Sequence, residues 1–522
     1  SSGINAEYMG GGLQCTEVAY LRLPLSSLTL SISFSVSFSL YVETFYVCVE
    51  LALRGVRGNM SGHRKVFARH HIQTIRKDKF SIGTQALNPL RDDLHQSVKI
   101  FSAELYAKDV HFLMELIQNA EDNEYPEAAA PSLEFVVTSR DITGTGASST
   151  LLVFNNEKDF SAKNIDSICS VGGSTKKCNF GKRGYIGEKG IGFKSVFLIS
   201  SKPYIFSNGY QIRFSEEPCS HCNIGYIVPE WVEDASIISN LQIVYGPTST
   251  LPTTTLVLPL KPEKINIVKK QPSSIHSEVL LFLSKIKWLS VWEDPRANST
   301  VNAITISSET NFVTRKNINA ESFTVHLSAG EKVDNLESEC KYYMWRQKFH
   351  VKPENNDEKR IGVEEWSITL AFPFEECLQR GTTLPGLYSY LPTKMITNFP
   401  FVIQADFLLQ SSRETILFDN KWNKGILGCL PTTFINAFKS LVVETANVPA
   451  FNLPNMFRFL PVNKSSYLEL NIFRDKIKAL LLVEDLIPCE SYTDQRFFHK
   501  PSKVGRLMPD FWNILSEAHK QA

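Results

Sequence analysis

The sequence predicts an α+β fold: a mixed β-sheet with helices on one face, followed by a second, α/β block. Three observations carry this. Short strand-like apolar runs are mixed with a few helical stretches, without the regular alternation of parallel βαβ folds. A glycine triplet, Gly187-x-x-Gly190-x-Gly192, opens onto the apolar run Val196-Phe197-Leu198-Ile199, a turn leading into a helix. The chain has 522 residues, 43% hydrophobic and 21% charged, which is globular and enough for two or three domains.

Taken in order, residues 23–42 carry no charge, but serine recurs at every second position from Ser31 to Ser39. That is the period of a strand, so a strand or translated non-coding sequence is expected there rather than a membrane helix. From Arg54 to Lys79, eight basic residues face one acid, Asp78, as in a solvated linker or helix face; nucleic-acid contact is the sharper alternative. Helical periodicity runs through 92–123. Strands are expected at Leu133–Val137, Leu151–Phe154, Tyr204–Phe206, Tyr210–Phe214 and Thr254–Leu260. A long helix is expected over Ser273–Trp292, then strands near 301–306, 323–327 and 366–372, and helices beyond Trp422. Both ends read as cut edges of a longer chain.

Charge and cysteine usage narrow the class. A formal net charge of +1 gives no whole-chain argument for nucleic-acid or acidic partners. Ten scattered cysteines form no dense framework, so reduced thiols in an intracellular protein, of nucleus or cytoplasm, are expected. Cys219-Ser-His221-Cys222 has a metal-like look but no partner pair, and reads as thiols in a loop.

The chemistry concentrates in two places. On a helix over 112–123, Phe112, Leu113, Leu116, Ile117 and Ala120 share one face, while Glu115, Asn119 and Asp122 fall within about 60° of each other at its edge. A carboxylate and a carboxamide four residues apart project into one pocket, where the amide oxygen suits Mg²⁺ and the carboxylate suits polarising water. The glycine loop offers close backbone approach to a polyphosphate. An amphipathic helix with a polar stripe is the plain alternative for the first feature alone. The two together suggest an ATP site.

Glu115-x-x-x-Asn119-Ala-x-Asp122 followed by Gly187-x-x-Gly190-x-Gly192-Phe-x-Ser195 resembles the Bergerat ATP-binding fold of the GHKL superfamily, which includes gyrase B, a heat-shock chaperone, histidine kinases and MutL. Gly173-Ser-Thr-Lys176, the strand from Thr254 to Leu260, Ser412-Arg413-Glu414 and Trp422-Asn423 follow in matching order, and the overall look over 70–440 is of the plant sacsin/NO VEIN type. The resemblance implies a Bergerat-type two-layer sandwich over 71–262, a chaperone-like middle domain over 263–445 and a truncated helical region over 446–522, with 1–70 outside it. By position, Glu115 would be the general base and Arg413 an arginine finger. Asn119 would hold Mg²⁺. Asn119, Asp122, Asn155, Lys176, Gly187, Lys189, Gly190, Gly192, Phe193 and Thr254 would form the nucleotide site, under a lid over 156–190. The implied activity is Mg²⁺-dependent ATP binding with slow hydrolysis. The implied partners are ATP and an unnamed protein client, with a dimer open and no membrane favoured. One departure stands out: where the superfamily has Asp-x-Gly-x-Gly to read adenine, this chain has Asn155-Asn-Glu157-Lys-Asp159. A neutral acceptor there is weaker than a carboxylate. The rival reading is therefore a non-catalytic scaffold that keeps the fold around a changed adenine pocket.

Overall fold

The computed structural model describes residues 62–83, 90–104, 111–171, 192–246, 249–271, 275–293, 301–307, 310–331, 336–374, 384–410, 412–444, 456–490, 496–505, 509–514 and 516. Contacts divide the chain into Ser1–His63 and a much larger compact unit, Arg64–Ala522.

The described part of the basic run forms a helix, α1 (62–74), that continues as one π-helical stretch, Ile75–Lys79. Ala68, Ile72, Ile75 and Phe80 form its buried stripe. Its charges serve the same chain: Arg64 pairs with Asp159 at 3.0 Å, Arg69 with Glu233, and Arg76 donates to the Pro229 carbonyl at 2.8 Å. The expected helix over 92–123 is two helices, α2 (Leu90–Glu104) and α3 (His111–Asp122). Then come β1 (Ser132–Thr138), β2 (Thr150–Asn155) and the short α4 (Ala162–Ile168). Ser161 caps α4, its side chain accepting from the Asn164 amide while the Asn164 side chain answers the Ser161 amide.

Gly192–Leu198, expected as a helix, is a seven-residue 3-10 turn. Next are β3 (Tyr204–Ser207), β4 (Tyr210–Arg213), β5 (Glu230–Trp231), α5 (Ser236–Tyr245), β6 (Thr254–Pro259) and α6 (Ile265–Lys270). Over 275–292, the described part of the segment 273–292, the expected long helix is absent. Ser277–Leu280 is one 3-10 turn, and Trp288–Glu293 is strand β7. The reason lies on α3. The buried Glu121 carboxylate accepts the backbone N–H groups of Ser284 (2.7 Å), Lys285 (3.0 Å) and Ile286 (2.9 Å) together with the Ser284 hydroxyl (2.6 Å). Those three donors are thereby withdrawn from any helical ladder. Lys285 adds a bond from its ammonium to the Asn123 carbonyl at 2.7 Å.

The second block contributes β8 (Val301–Ile306), β9 (Thr310–Arg315), β10 (Ala320–Glu331), β11 (Leu336–His350), β12 (Glu365–Phe374), β13 (Leu387–Ser389), β14 (Leu391–Pro392) and β15 (Val402–Gln404). Two helices follow, α7 (Lys421–Glu444) and α8 (Leu468–Leu481), then a hairpin of β16 (Ile487–Glu490) and β17 (Arg496–His499), and α9 (Pro509–Ile514). Strands β1 to β15 make one mixed sheet in the order β14-β13-β15-β12-β11-β10-β8-β7-β1-β2-β6-β3-β4-β5, with β9 on β10. The two blocks are joined where β1 pairs parallel with β7, Leu133 opposite Leu289 and Phe135 opposite Val291.

Strand alternation assigns the two faces. Leu133, Phe135, Val137, Leu151, Val153, Ile205 and Leu256 meet α1, α2, α3 and the 3-10 turn. On the reverse face, Val136, Leu152, Phe154, Tyr204 and Val257 pack under Ile237, Leu241 and Val244 of α5. A separate core beneath α7 and α8 is aromatic, with Trp345, Trp366, Phe372, Phe401, Trp422 and Phe434 fully buried. Helix α7 is long and apolar enough to cross a membrane, but more than half of its apolar window is buried in this core. Cys169, Cys219, Cys222 and Cys429 are free thiols, whereas Cys340 on β11 is disulfide-bonded, contrary to the expectation of reduced thiols throughout.

Candidate functional site

Helix α3 buries Phe112, Leu113, Leu116, Ile117 and Ala120 against the sheet, and this seats Glu115 and Asn119 at the helix edge. Glu115 is only 6% exposed. Its Oε2 faces Gly192, the first residue of the 3-10 turn: a Cβ there would lie 2.6 Å from Oε2, and 3.4 and 3.5 Å from the carboxamide oxygen and nitrogen of Asn119. Only glycine leaves that approach open. Asp122 is buried one turn further along α3.

The other carboxylate oxygen of Glu115, Oε1, lies 3.4 Å from Nη1 of Arg413. Arg413 sits at the tip of a loop in the left-handed region, at φ +57, a conformation that costs about 1–3 kcal/mol outside glycine and asparagine. The loop is held from several sides. The Arg413 amide donates to the Gln410 carbonyl at 2.9 Å, and the arms meet in a bridge between Leu409 and Ile416. Lys394 bonds Glu414 twice, by its ammonium at 2.5 Å and by its amide to the Glu414 carbonyl at 2.9 Å. At the base, the fully buried Asn423 accepts from the Leu408 amide (2.9 Å) and donates to the carbonyls of Leu408 (2.8 Å) and Leu417 (2.9 Å). Its neighbour Trp422 reaches the Asp406 carbonyl at 2.8 Å. The Trp-Asn pair therefore clamps the two arms of the Arg413 loop.

The base-side candidates form a polar row across three strands. Asn155 ends β2 opposite Thr254 of β6, which lies opposite Ser207 of β3. All three are buried, and the Ser207 and Thr254 hydroxyls are 2.7 Å apart. The Asn155 amide oxygen is 2.9 Å from the Tyr125 hydroxyl, which also lies 2.9 Å from the Ala120 carbonyl. Burial holds the Tyr125 phenol well above its ordinary pKa, so it stays a neutral donor. One of the two lone pairs of the Asn155 amide oxygen is thus engaged within the protein.

Phe193 packs edge-on against Phe214 at 5.9 Å, filling the wall behind the turn. The residue after it, Lys194, is buried and aims its ammonium at the Ile168 carbonyl at the end of α4, where the helix dipole favours a cation. It ties the 3-10 turn to α4. Burial lowers its pKa to about 8, partly offset by the nearby Cys169. Lys176, Gly187, Lys189 and Gly190 lie outside the described residues.

The geometry brings together Glu115, Asn119, Gly192 and Arg413, and separately Asn155 and Thr254. Residue spacing alone did not single out Glu121, Tyr125 or Lys194. Lys194 carries no signal beyond its place after Gly192-Phe193.

The Sacsin domain family matches residues 98–223, a span that includes α3, β1, β2, α4 and the 3-10 turn. Protein NO VEIN of Arabidopsis thaliana is 31% identical over 420 residues, covering 76% of this chain. The chain spans 14% of that relative's length. Over the matched residues, from the edge of α3 to the glycine turn, the chain is sacsin/NO VEIN-like.

Proposed function

We propose that this chain binds Mg·ATP at the edge of α3 and hydrolyses it slowly, as a GHKL-type, chaperone-like module. The observation that carries the reading is the convergence of Glu115, Asn119 and Gly192 with Arg413, which comes from the second block. The donor set suits the ligand. A neutral carboxamide oxygen is a fitting partner for a hard divalent ion, and the missing Cβ at Gly192 lets the Glu115 carboxylate and the Asn119 carboxamide stand close against the turn. Bound Mg·ATP would supply the phosphoryl group and the charge-neutralising metal. Asn119 would hold the metal, and the amide of Gly192 would face the phosphates. Glu115 would orient a water for in-line attack and receive its proton. Arg413 pairs with Glu115 in this structure, so its guanidinium would have to turn from that carboxylate to the developing phosphate charge. The lid over 156–190 would exclude water during that step.

The second reading, a scaffold without catalysis, is favoured by Asn155, a neutral acceptor whose amide oxygen already takes part in a bond with Tyr125. One experiment separates them. Mg·ATP is titrated calorimetrically into the full chain and into Asn119→Ala, and phosphate release is followed in parallel for the parent and Glu115→Ala. Binding weakened at least tenfold by Asn119→Ala, with turnover abolished by Glu115→Ala, is expected. Absence of heat in the parent at millimolar nucleotide refutes the site. Binding without turnover, indifferent to Glu115→Ala, leaves the scaffold.

A further inference from the structure

We propose that Cys219 and Cys222 are a redox-active dithiol, a modification site for peroxides that closes to an intrachain disulfide. The pair lies in a tight turn. The Cys222 amide donates to the Cys219 carbonyl at 3.2 Å, the Asn223 amide to the same oxygen at 2.8 Å, and the Cys219 amide to the Ile224 carbonyl at 3.1 Å. A bond from residue i+3 back to residue i keeps the two Cα atoms within about 7 Å, and a disulfide spans roughly 4.4–6.8 Å. Both thiols are free. Closing the bridge therefore needs side-chain rotation more than backbone movement.

The two sulfurs differ in a way that assigns roles. Cys222 is fully buried, and burial raises its pKa. Cys219 is partly exposed, with the His221 ring nitrogen Nδ1 3.9 Å from its sulfur and the Ser220 hydroxyl 3.1 Å from that nitrogen. Cys219 is thus the accessible thiol with a base beside it, and Cys222 the sheltered resolving thiol.

The chemistry balances with a peroxide as oxidant. His221 takes the Cys219 proton. The thiolate attacks one peroxide oxygen, an S–O bond forms as the O–O bond breaks, and the leaving hydroxide or alkoxide is protonated from His221. Sulfur has lost two electrons and the peroxide has gained them. The Cys222 thiol then attacks the Cys219 sulfur, the S–S bond forms, the S–O bond breaks, and hydroxide leaves with the Cys222 proton as water. A cellular dithiol would reverse the bridge by exchange.

The location gives the pair something to act on. The same loop reaches α2 through the Gly225 amide, which donates to His95 Nδ1 at 3.1 Å, and touches the 3-10 turn through Tyr226, whose ring lies 4.9 Å from Phe197. The proposal is independent of nucleotide binding. The full chain is treated with a small excess of hydrogen peroxide, unreacted thiols are blocked under denaturing conditions, and peptides are mapped by mass. Cys219 and Cys222 should lose labelling together with a loss of two hydrogens, at least tenfold faster than glutathione oxidises at the same pH, while Cys169 and Cys429 stay blocked. Cys222→Ser and Cys222→Ala should trap a Cys219 sulfenic acid that reacts with dimedone. Cys219→Ser should leave Cys222 reduced. Loss of labelling at both cysteines no faster than glutathione oxidises, or bridges to other cysteines, would overturn the assignment.

Discussion

Replacing Glu121 by alanine tests the tie between α3 and the strand that joins the two blocks. In the parent, one buried carboxylate serves the amides of Ser284, Lys285 and Ile286 and the Ser284 hydroxyl, at 2.6 to 3.0 Å for the shortest contact of each. Each buried donor left without a partner costs about 1–3 kcal/mol. The Ile286 amide is wholly buried, whereas the Ser284 and Lys285 groups lie at part-buried positions that water reaches. With those two counted at half weight, the local loss is about 2–6 kcal/mol, centred near 4. Glu121→Gln keeps an acceptor but turns an NH2 toward one of the donors, so about half of that loss is expected. The assay is native-state amide exchange of Lys285 and Ile286, which reports local opening without requiring the whole chain to unfold in one step. Exchange of these amides should accelerate by two to three orders of magnitude in Glu121→Ala. Protection within threefold of the parent would refute the account, because the donors would then have found partners the structure does not provide.

Three further outcomes follow from the site. Gly192→Ala places a methyl 2.6 Å from Glu115 Oε2, so the carboxylate must rotate away; a melting shift of only a few degrees with at least tenfold loss of nucleotide binding or turnover is expected, and calorimetry checks it. Asn423→Ala removes the three hydrogen bonds that clamp the Arg413 loop and should cost about 2–4 kcal/mol, visible as a lowered denaturant midpoint and as faster exchange of the Leu408 amide. Lys194 binds its proton less tightly folded than unfolded, with a folded pKa of about 8 against an ordinary value of 10.5. The unfolded chain therefore holds more protons between about pH 8 and 10.5, and the Lys194 contribution makes the fold more stable as pH rises through that window, by about 3 kcal/mol. Lys194→Met should flatten that rise in denaturation curves taken across the window; an unchanged slope would exclude Lys194 as its source.

Much of the first block was readable from local pattern. The apolar face of α3 and the strands at 133–137, 151–154, 204–206 and 254–259 come out where periodicity puts them, because those segments are shaped by burial against one neighbouring layer. The 273–292 segment was not readable, since its helical pattern loses to a carboxylate on α3, more than a hundred positions earlier. Strand β11 carries Lys341, Arg346 and Lys348 among its apolar residues, and its length emerges only from pairing with β10 and β12. Within the site, the shared edge of Glu115 and Asn119 follows from helix geometry. The meeting of Glu115 with Arg413 follows from nothing local, and only the resemblance to a known arrangement suggested it. The protein partner of Asn155 was equally hidden, because Tyr125 lies in the turn after α3 and carries no periodic signal.

The splice of β1 to β7 has a consequence for how the chain is made. Strand β1 leaves the ribosome early, with apolar side chains at Leu133, Phe135, Val136 and Val137 that pack on both faces of the sheet. Its β2 side can be covered almost at once, but its other edge waits for β7, which is synthesised only after all of β2 to β6. Until then the nascent first block presents an open, largely apolar strand edge with Glu134 as its one acidic residue, the kind of surface that recruits other chains. Folding of the first block is therefore completed by the first strand of the second. A polypeptide cut between β6 and β7 inherits the exposed edge permanently and should aggregate, however well its own helices and strands form.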